Sequence, residues 1–159
     1  MAEKKDLEKL KEEYAKIQKK YDLPKFEDLD DEFEIREIPP EVFIIREIRR
    51  FMSRRMQAIS ELLEPILSAG GRELHSFIET KIFEKEEIDD LYKFYKHLWT
   101  LVHEGITASL ETEASEVAFI KKVWKNWPEI KKEAHKYADQ LAKGWAKEEK
   151  EGFADKYVS

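Results

Sequence analysis

Five arginines fall within ten residues, REIRRFMSRR at positions 46–55, in a chain whose other basic positions hold 22 lysines and only two further arginines, Arg36 and Arg72. Guanidinium is planar, weakly hydrated and forked. It suits two-point binding of phosphate or carboxylate, whereas solubility needs only lysine. On a helix, Arg46, Arg49, Arg50 and Arg54 fall opposite the apolar Ile44, Ile48, Phe51, Met52, Ile59, Leu62 and Leu63. The four arginines are the candidate RNA- or partner-binding residues. The plainer reading is a solvated face. If the face has fixed partners, the acids of 22–37 (Asp28, Asp30, Asp31, Glu32, Glu34) fold back onto it in cis, or it meets RNA phosphates or an acidic protein patch in trans. Arg55 falls at the centre of the apolar stripe instead. A charge there needs an ion pair with an acid such as Glu104, Glu111 or Glu113, or a stem buried with its head in water, unless that side is itself an interface.

Catalytic constellations do not assemble. None of the four histidines, His75, His97, His103 and His135, has another at i,i+4, and His97 and His103, six apart, fall on different faces. HEGIT at 103–107 lacks the second histidine of a zinc-protease helix. The Glu-x-x-His spacing of di-iron bundles is missing too, because the residues three before the histidines are Arg72, Phe94, Thr100 and Lys132. The glycine pair 70–71 lacks the strand, Lys and Ser/Thr of a phosphate loop and reads as a helix stop. EKEEIDD at 84–90 crowds five acids, which suits a helix N-terminus, where the macrodipole favours negative charge. The expectation is therefore no enzyme, no catalytic residue, no metal, no cofactor and no small-molecule substrate. A pocket of His97, His103 and Glu104 is the remaining catalytic alternative.

Composition sets wider bounds. A chain of 159 residues is the size of one domain and long enough to bury about two-thirds of its unfolded surface. Charged residues make up 40%, well above the usual quarter, so the surface must be densely charged. Lys and Glu dominate, cysteine is absent, and there are one Asn and three Gln, a balance that leans toward a thermophilic source. Without cysteine there are no disulfides, thiolate nucleophiles or zinc ribbons. The charged start MAEKKDLEKLKEEY and the lack of an 18-residue apolar run predict no signal peptide and no membrane span, hence a soluble cytoplasmic protein. The net charge of −6 argues against coating nucleic acid all over. Its distribution is blocky: 22–37 carries eight acids and two bases, and 121–156 ten lysines and seven acids.

The elements that must position these residues read as helices. Leu7, Leu10, Tyr14, Ile17 and Tyr21 form a narrow heptad seam over about 5–21. At two heptads it is marginal alone and is the candidate dimer or docking seam. The stretch 22–39 reads as an extended acidic connector with one helical turn at most. A helix over about 40–64 starts at Pro40 and is kinked or ended by Pro65, with SAGG at 68–71 as its stop. A short helix covers about 72–82. Two long ones follow, about 86–110 and from a Thr112 cap onward, the latter broken or kinked near Pro128. Tyr92, Tyr95, Trp99, Trp124 and Trp127 are expected mostly in the core, with Phe94 and Phe119 off the main stripes. The last helix interleaves aromatics with Lys121, Lys122 and Lys125 as a second, weaker basic surface. The predicted fold is all-α, a helical bundle of three long helices plus short ones, with 1–39 as N-terminal helical arm and acidic connector and 40–159 as bundle domain.

Three stretches, LEKLKEEYAKIQKKYDLPKFEDLDDEFEI, FIIREIRR and EVAFIKKVWKNWPEIKK, resemble in layout a set of small, mostly uncharacterised all-helical proteins of archaea. The chain is also similar to archaeal ribosome-dimerising hibernation factors. That resemblance implies a homodimer holding small ribosomal subunits together without catalysis, and it carries no individual contact residue. The sequence thus predicts a non-enzymatic interaction protein with the ribosome or RNA as partner and self-association or another protein partner in addition. The alternative is a protein-only helical adaptor whose arginines pair internally with the acidic connector.

Overall fold

The structure, a computed structural model, describes residues 2–40, 42–68 and 74–151, with side chains described as far as Lys147. It is all-α: α1 Ala2–Tyr21, α2 Phe26–Phe33, a 3-10 turn Ile35–Glu37, α3 Ile44–Leu67, α4 Leu74–Ile82, α5 Lys85–Ser109 and α6 Glu113–Glu151. The described residues contain no strand and no helix long and apolar enough to cross a membrane. The chain divides into two compact units, residues 1–57 with 100–126 and residues 58–99 with 127–159.

In the first unit the stretch 22–39 is a correction to the sequence reading. It is folded rather than extended. Asp22 turns the chain through φ 54° after α1, and Pro24 precedes an eight-residue helix that buries Phe26, Leu29 and Phe33. Glu34, at φ 56°, ends α2 by donating its backbone N–H to Asp30 O at 2.8 Å. The buried Asp30 carboxylate then caps the 3-10 turn, accepting from the Arg36 backbone N–H and from its Nε at 2.8 Å each and from its Nη2 at 2.5 Å. A carboxylate with that many donors sits in the core without being an orphan charge. Ile35 and Ile38 are buried as well, as are Ile48, Met52 and Met56 of α3.

The buried face of α3 is turned relative to the apolar wheel. Ser53 and Ser60 are buried at 6% and 0%, while Arg55 is exposed and Leu62 is 41% exposed. Small hydroxyl side chains allow close approach of neighbouring backbone, a property that a hydrophobic pattern does not register. The helix starts at Ile44 rather than Pro40 and passes through Pro65 to Leu67. Ala69, Gly70 and Gly71, where the stop was predicted, lie outside the described residues.

In the second unit, α4 finishes what α3 leaves open. Ser76 Oγ donates to Pro65 O at 2.6 Å and Thr80 Oγ1 to Ile66 O at 3.2 Å, satisfying carbonyls of the last turn of α3. Glu84 N donates back to Glu87 Oε1 at 3.2 Å, so the acidic run at 84–90 caps α5. The Glu87 carboxyl is held below its ordinary range by a hydrogen bond from Gln140 Nε2 and by the Glu84 N–H. Phe83, Phe94 and Tyr137 pack together, with ring centroids 6.1 and 5.8 Å from Tyr137. Phe94 is thus core, as is Phe119 in the first unit, although both fall off the main apolar stripes.

Thr112 caps α6 as predicted, its Oγ1 accepting from Ser115 N at 3.1 Å. Pro128 does not break α6, which is assigned continuously over 39 residues. The missing proline N–H costs one bond, to the Trp124 carbonyl four residues back. Burial of Trp127 and Ile130 on either side holds the helix together there.

Candidate nucleic-acid interface

The five arginines of α3 do not share one fate. Arg49 is buried, 8% exposed, and its Nε donates to Glu116 Oε2 at 3.0 Å. Arg46, half exposed, brings its Nε to 3.7 Å from Glu116 Oε1 and its guanidinium to 6.0 Å from the ring centroid of the exposed Phe43. The first turn of α6 therefore supplies one carboxylate to two guanidinium groups of α3. The expectation that Arg49 stands on the exposed face is corrected, because the rotated buried face of α3 includes it.

Arg50, Arg54 and Arg55 are exposed. Arg50 donates to Glu47 Oε1 at 2.6 Å, one turn back. The Arg54 guanidinium lies 5.4 Å from the Phe51 ring centroid, within cation–π range. Arg55 is exposed rather than buried at the centre of a core stripe, and two of its three expected partners are engaged elsewhere. Glu104 takes Lys122 Nζ at 2.7 Å, and Glu113 accepts the Tyr21 hydroxyl at 2.7 Å. Of the connector's acids, Asp30 is committed to Arg36 rather than to the arginines of α3.

The heptad seam of α1 is largely taken up inside its own unit. Leu10 and Tyr14 are each 1% exposed, while Leu7, Ile17 and Tyr21 are half-buried. Tyr14 packs edge-on against Phe26 at 5.6 Å and donates its hydroxyl to Pro24 O at 2.5 Å. Burial, reinforced by Glu27, pushes the Tyr14 phenol well above its ordinary value.

The catalytic alternative does not assemble as drawn. His103 and Glu104 line a groove of about 570 Å³ with Thr100, Thr107, Phe119 and Lys122, but His97 is not among its lining residues. The Glu104 carboxylate is already neutralised there by Lys122. His75 instead meets the buried Glu79, Nε2 to Oε1 at 2.5 Å, and stacks against Trp145 at 5.2 Å. Among the described residues no three His, Cys, Asp or Glu side chains are grouped to hold a metal ion.

Sequence reasoning missed Glu116 as the acid that sorts the arginines. Spacing alone did not single it out: Glu113 and Glu116 both stand in the first turn of α6 near the face of Val117 and Ile120, and only Glu116 is buried. Comparison with known proteins adds no assignment: no protein-family profile matches the chain, and neither a curated protein nor a solved structure does.

Proposed function

We propose that this protein is a non-catalytic binding protein that docks on a polyanionic assembly, the ribosome, through the exposed arginine edge of α3. The observation that carries the reading is the exposure of Arg50, Arg54 and Arg55 on one helix, with Glu47 as the only acid paired to any of them among the described residues. Forked donors are suited to phosphate oxygens and give binding that falls steeply with salt. The α1 seam supports docking within the chain more than self-association, since Leu10 and Tyr14 are already covered.

The test is co-sedimentation of the full chain with ribosomes and with protein-free ribosomal RNA at two salt concentrations, for wild type and Arg50→Glu/Arg54→Glu/Arg55→Glu. Saturable, salt-sensitive association that the triple variant loses supports the reading. Equal association of the variant, or none by the wild type, overturns it.

A second reading has its own observation. Arg46 and Arg49 converge on Glu116, as an internally paired helical adaptor requires, although the acid comes from α6 and not from the connector. Under that reading charge reversal along α3 lowers stability and leaves polyanion binding absent throughout.

A further inference from the structure

A groove of about 490 Å³ lies in the first unit where the end of α1 and the start of α2 approach α6. That volume is within the range of small-ligand sites, about 300–1,000 Å³. Lys25, Lys121 and Lys125 line it, all three exposed, and none forms an ion pair among the described residues. Lys121 and Lys125 are four residues apart on α6, so two like charges occupy one face, an arrangement that disfavours the empty state and that an anion relieves. Between them in sequence, Trp124 also lines the groove. Its ring is part-exposed and braced by Phe33 at 6.4 Å, and its indole N–H has no partner among the described residues.

Lysines alone would suit any anion, but Asp22 and Asp28 line the same groove, likewise without an ion pair among the described residues. Two carboxylates repel a bare phosphate and favour a ligand that also offers O–H or N–H donors. The tryptophan adds a preference for a planar ring. A nucleotide carries all three features in one molecule: an anionic phosphoryl group, hydroxyl and amino donors, and an aromatic base.

We propose that this groove binds one nucleotide, its phosphoryl group toward Lys25, Lys121 and Lys125, its base on Trp124, and its sugar or base donors toward Asp22 and Asp28. The nucleotide is either free or one residue of a single-stranded RNA. The site is separate from the α3 arginines and stands independently of the ribosome reading.

Isothermal titration calorimetry on the full chain tests it, with AMP, inorganic phosphate and a single-stranded oligoadenylate as probes and circular dichroism as the folding check. The expected result is saturable AMP binding, weakened about tenfold or more by Lys121→Glu/Lys125→Glu. Trp124→Phe, which keeps a ring against Phe33, is expected to weaken it about threefold. Arg50→Glu/Arg54→Glu/Arg55→Glu is expected to leave it unchanged, which separates this site from the arginine edge. Equal affinity for AMP and the oligonucleotide identifies a free nucleotide as the ligand, and markedly tighter binding of the oligonucleotide identifies an RNA residue. No binding of either, binding of inorganic phosphate as tight as AMP, or an undiminished affinity in the folded lysine variant overturns the proposal.

Discussion

Arg49 of α3 and Glu116 of α6 form a buried ion pair, Nε to Oε2 at 3.0 Å, with side chains only 10% and 6% exposed. Two charges taken out of water are held together by geometry, and the single carboxylate also faces Arg46 at 3.7 Å. Removing Glu116 leaves Arg49 buried and uncompensated, and removing Arg49 leaves the buried carboxylate with only the longer Arg46 contact, a cost of about 3 kcal/mol, while replacing both with apolar groups costs far less. Arg49→Met is therefore expected to lower the melting temperature strongly and Arg49→Met/Glu116→Leu to restore part of it. Thermal unfolding of both variants and of Glu116→Leu alone measures the coupling; independent, additive losses would count against a paired role.

The exposed edge behaves differently. Surface substitutions away from packed features change stability by about 0.5 kcal/mol or less. Arg50→Glu/Arg54→Glu/Arg55→Glu is thus expected to melt close to wild type while the slope of log affinity against log salt for RNA falls by about one unit per lost phosphate contact. Filter-binding isotherms at four salt concentrations give that slope. A large loss of melting temperature would place these arginines among internal contacts instead.

Much of the helical layout was legible in the sequence, and the reasons for the failures are local. Ile88, Leu91, Leu98 and Val102 announce α5 by period alone, and Thr112 announces the start of α6 through its cap. The folding of 22–39 was not legible, because it depends on two non-glycine residues, Asp22 and Glu34, at positive φ and on the burial of Asp30 against Arg36. Composition reads those acids as solvated. The candidate interface was half legible: residue type flagged the arginines, but which of them stay exposed follows a buried face of α3 that includes Ser53 and Ser60 rather than the apolar stripe alone, and Glu116 arrives from another helix.

Gly105 lets the Phe119 ring approach closer than a Cβ at that position would leave room for. A Cβ built there would stand 2.8 Å from Phe119 Cζ and 3.1 Å from both neighbouring ring carbons, and Phe119 is 4% exposed. Alanine gains about 1 kcal/mol of helix propensity in α5, but overpacking a buried ring costs about 1–3 kcal/mol. Gly105→Ala is expected to lose about 1 kcal/mol net by urea denaturation. A stabilised variant would mean that the ring moves aside freely.

Stability at high pH is set in part by Tyr137. Burial first, then the carboxylates of Glu133, Asp90 and Glu87, push its phenol from an ordinary 10 to about 12. The folded state thus holds the proton more tightly than the unfolded state. The resulting stabilisation is complete below about pH 10 and is lost as pH rises from there through about 12. Melting temperature is expected to fall across that window, and Tyr137→Phe, which cannot ionise, is expected to flatten part of the fall. A profile unchanged by the substitution would assign the loss to other groups, Tyr14 first, whose phenol is raised by burial as well.

His75 and Glu79 offer the sharpest separation of charge from packing in the second unit. Glu79 is 4% exposed, its Oε1 lies 2.5 Å from His75 Nε2, and its Oε2 is buried without a partner among the described residues. His75→Ala removes the donor and leaves a buried carboxylate alone, a loss of about 1–3 kcal/mol. Glu79→Gln removes the buried charge at nearly constant volume, and its amide brings donors of its own, so it is expected to cost less than His75→Ala. In the double variant the histidine no longer matters, because the charge it served is gone. Denaturation of the two single variants and the double variant is expected to show strong coupling, with His75→Ala nearly silent in the Glu79→Gln background. Losses that simply add would mean that His75 acts through its stacking on Trp145 and not through the carboxylate.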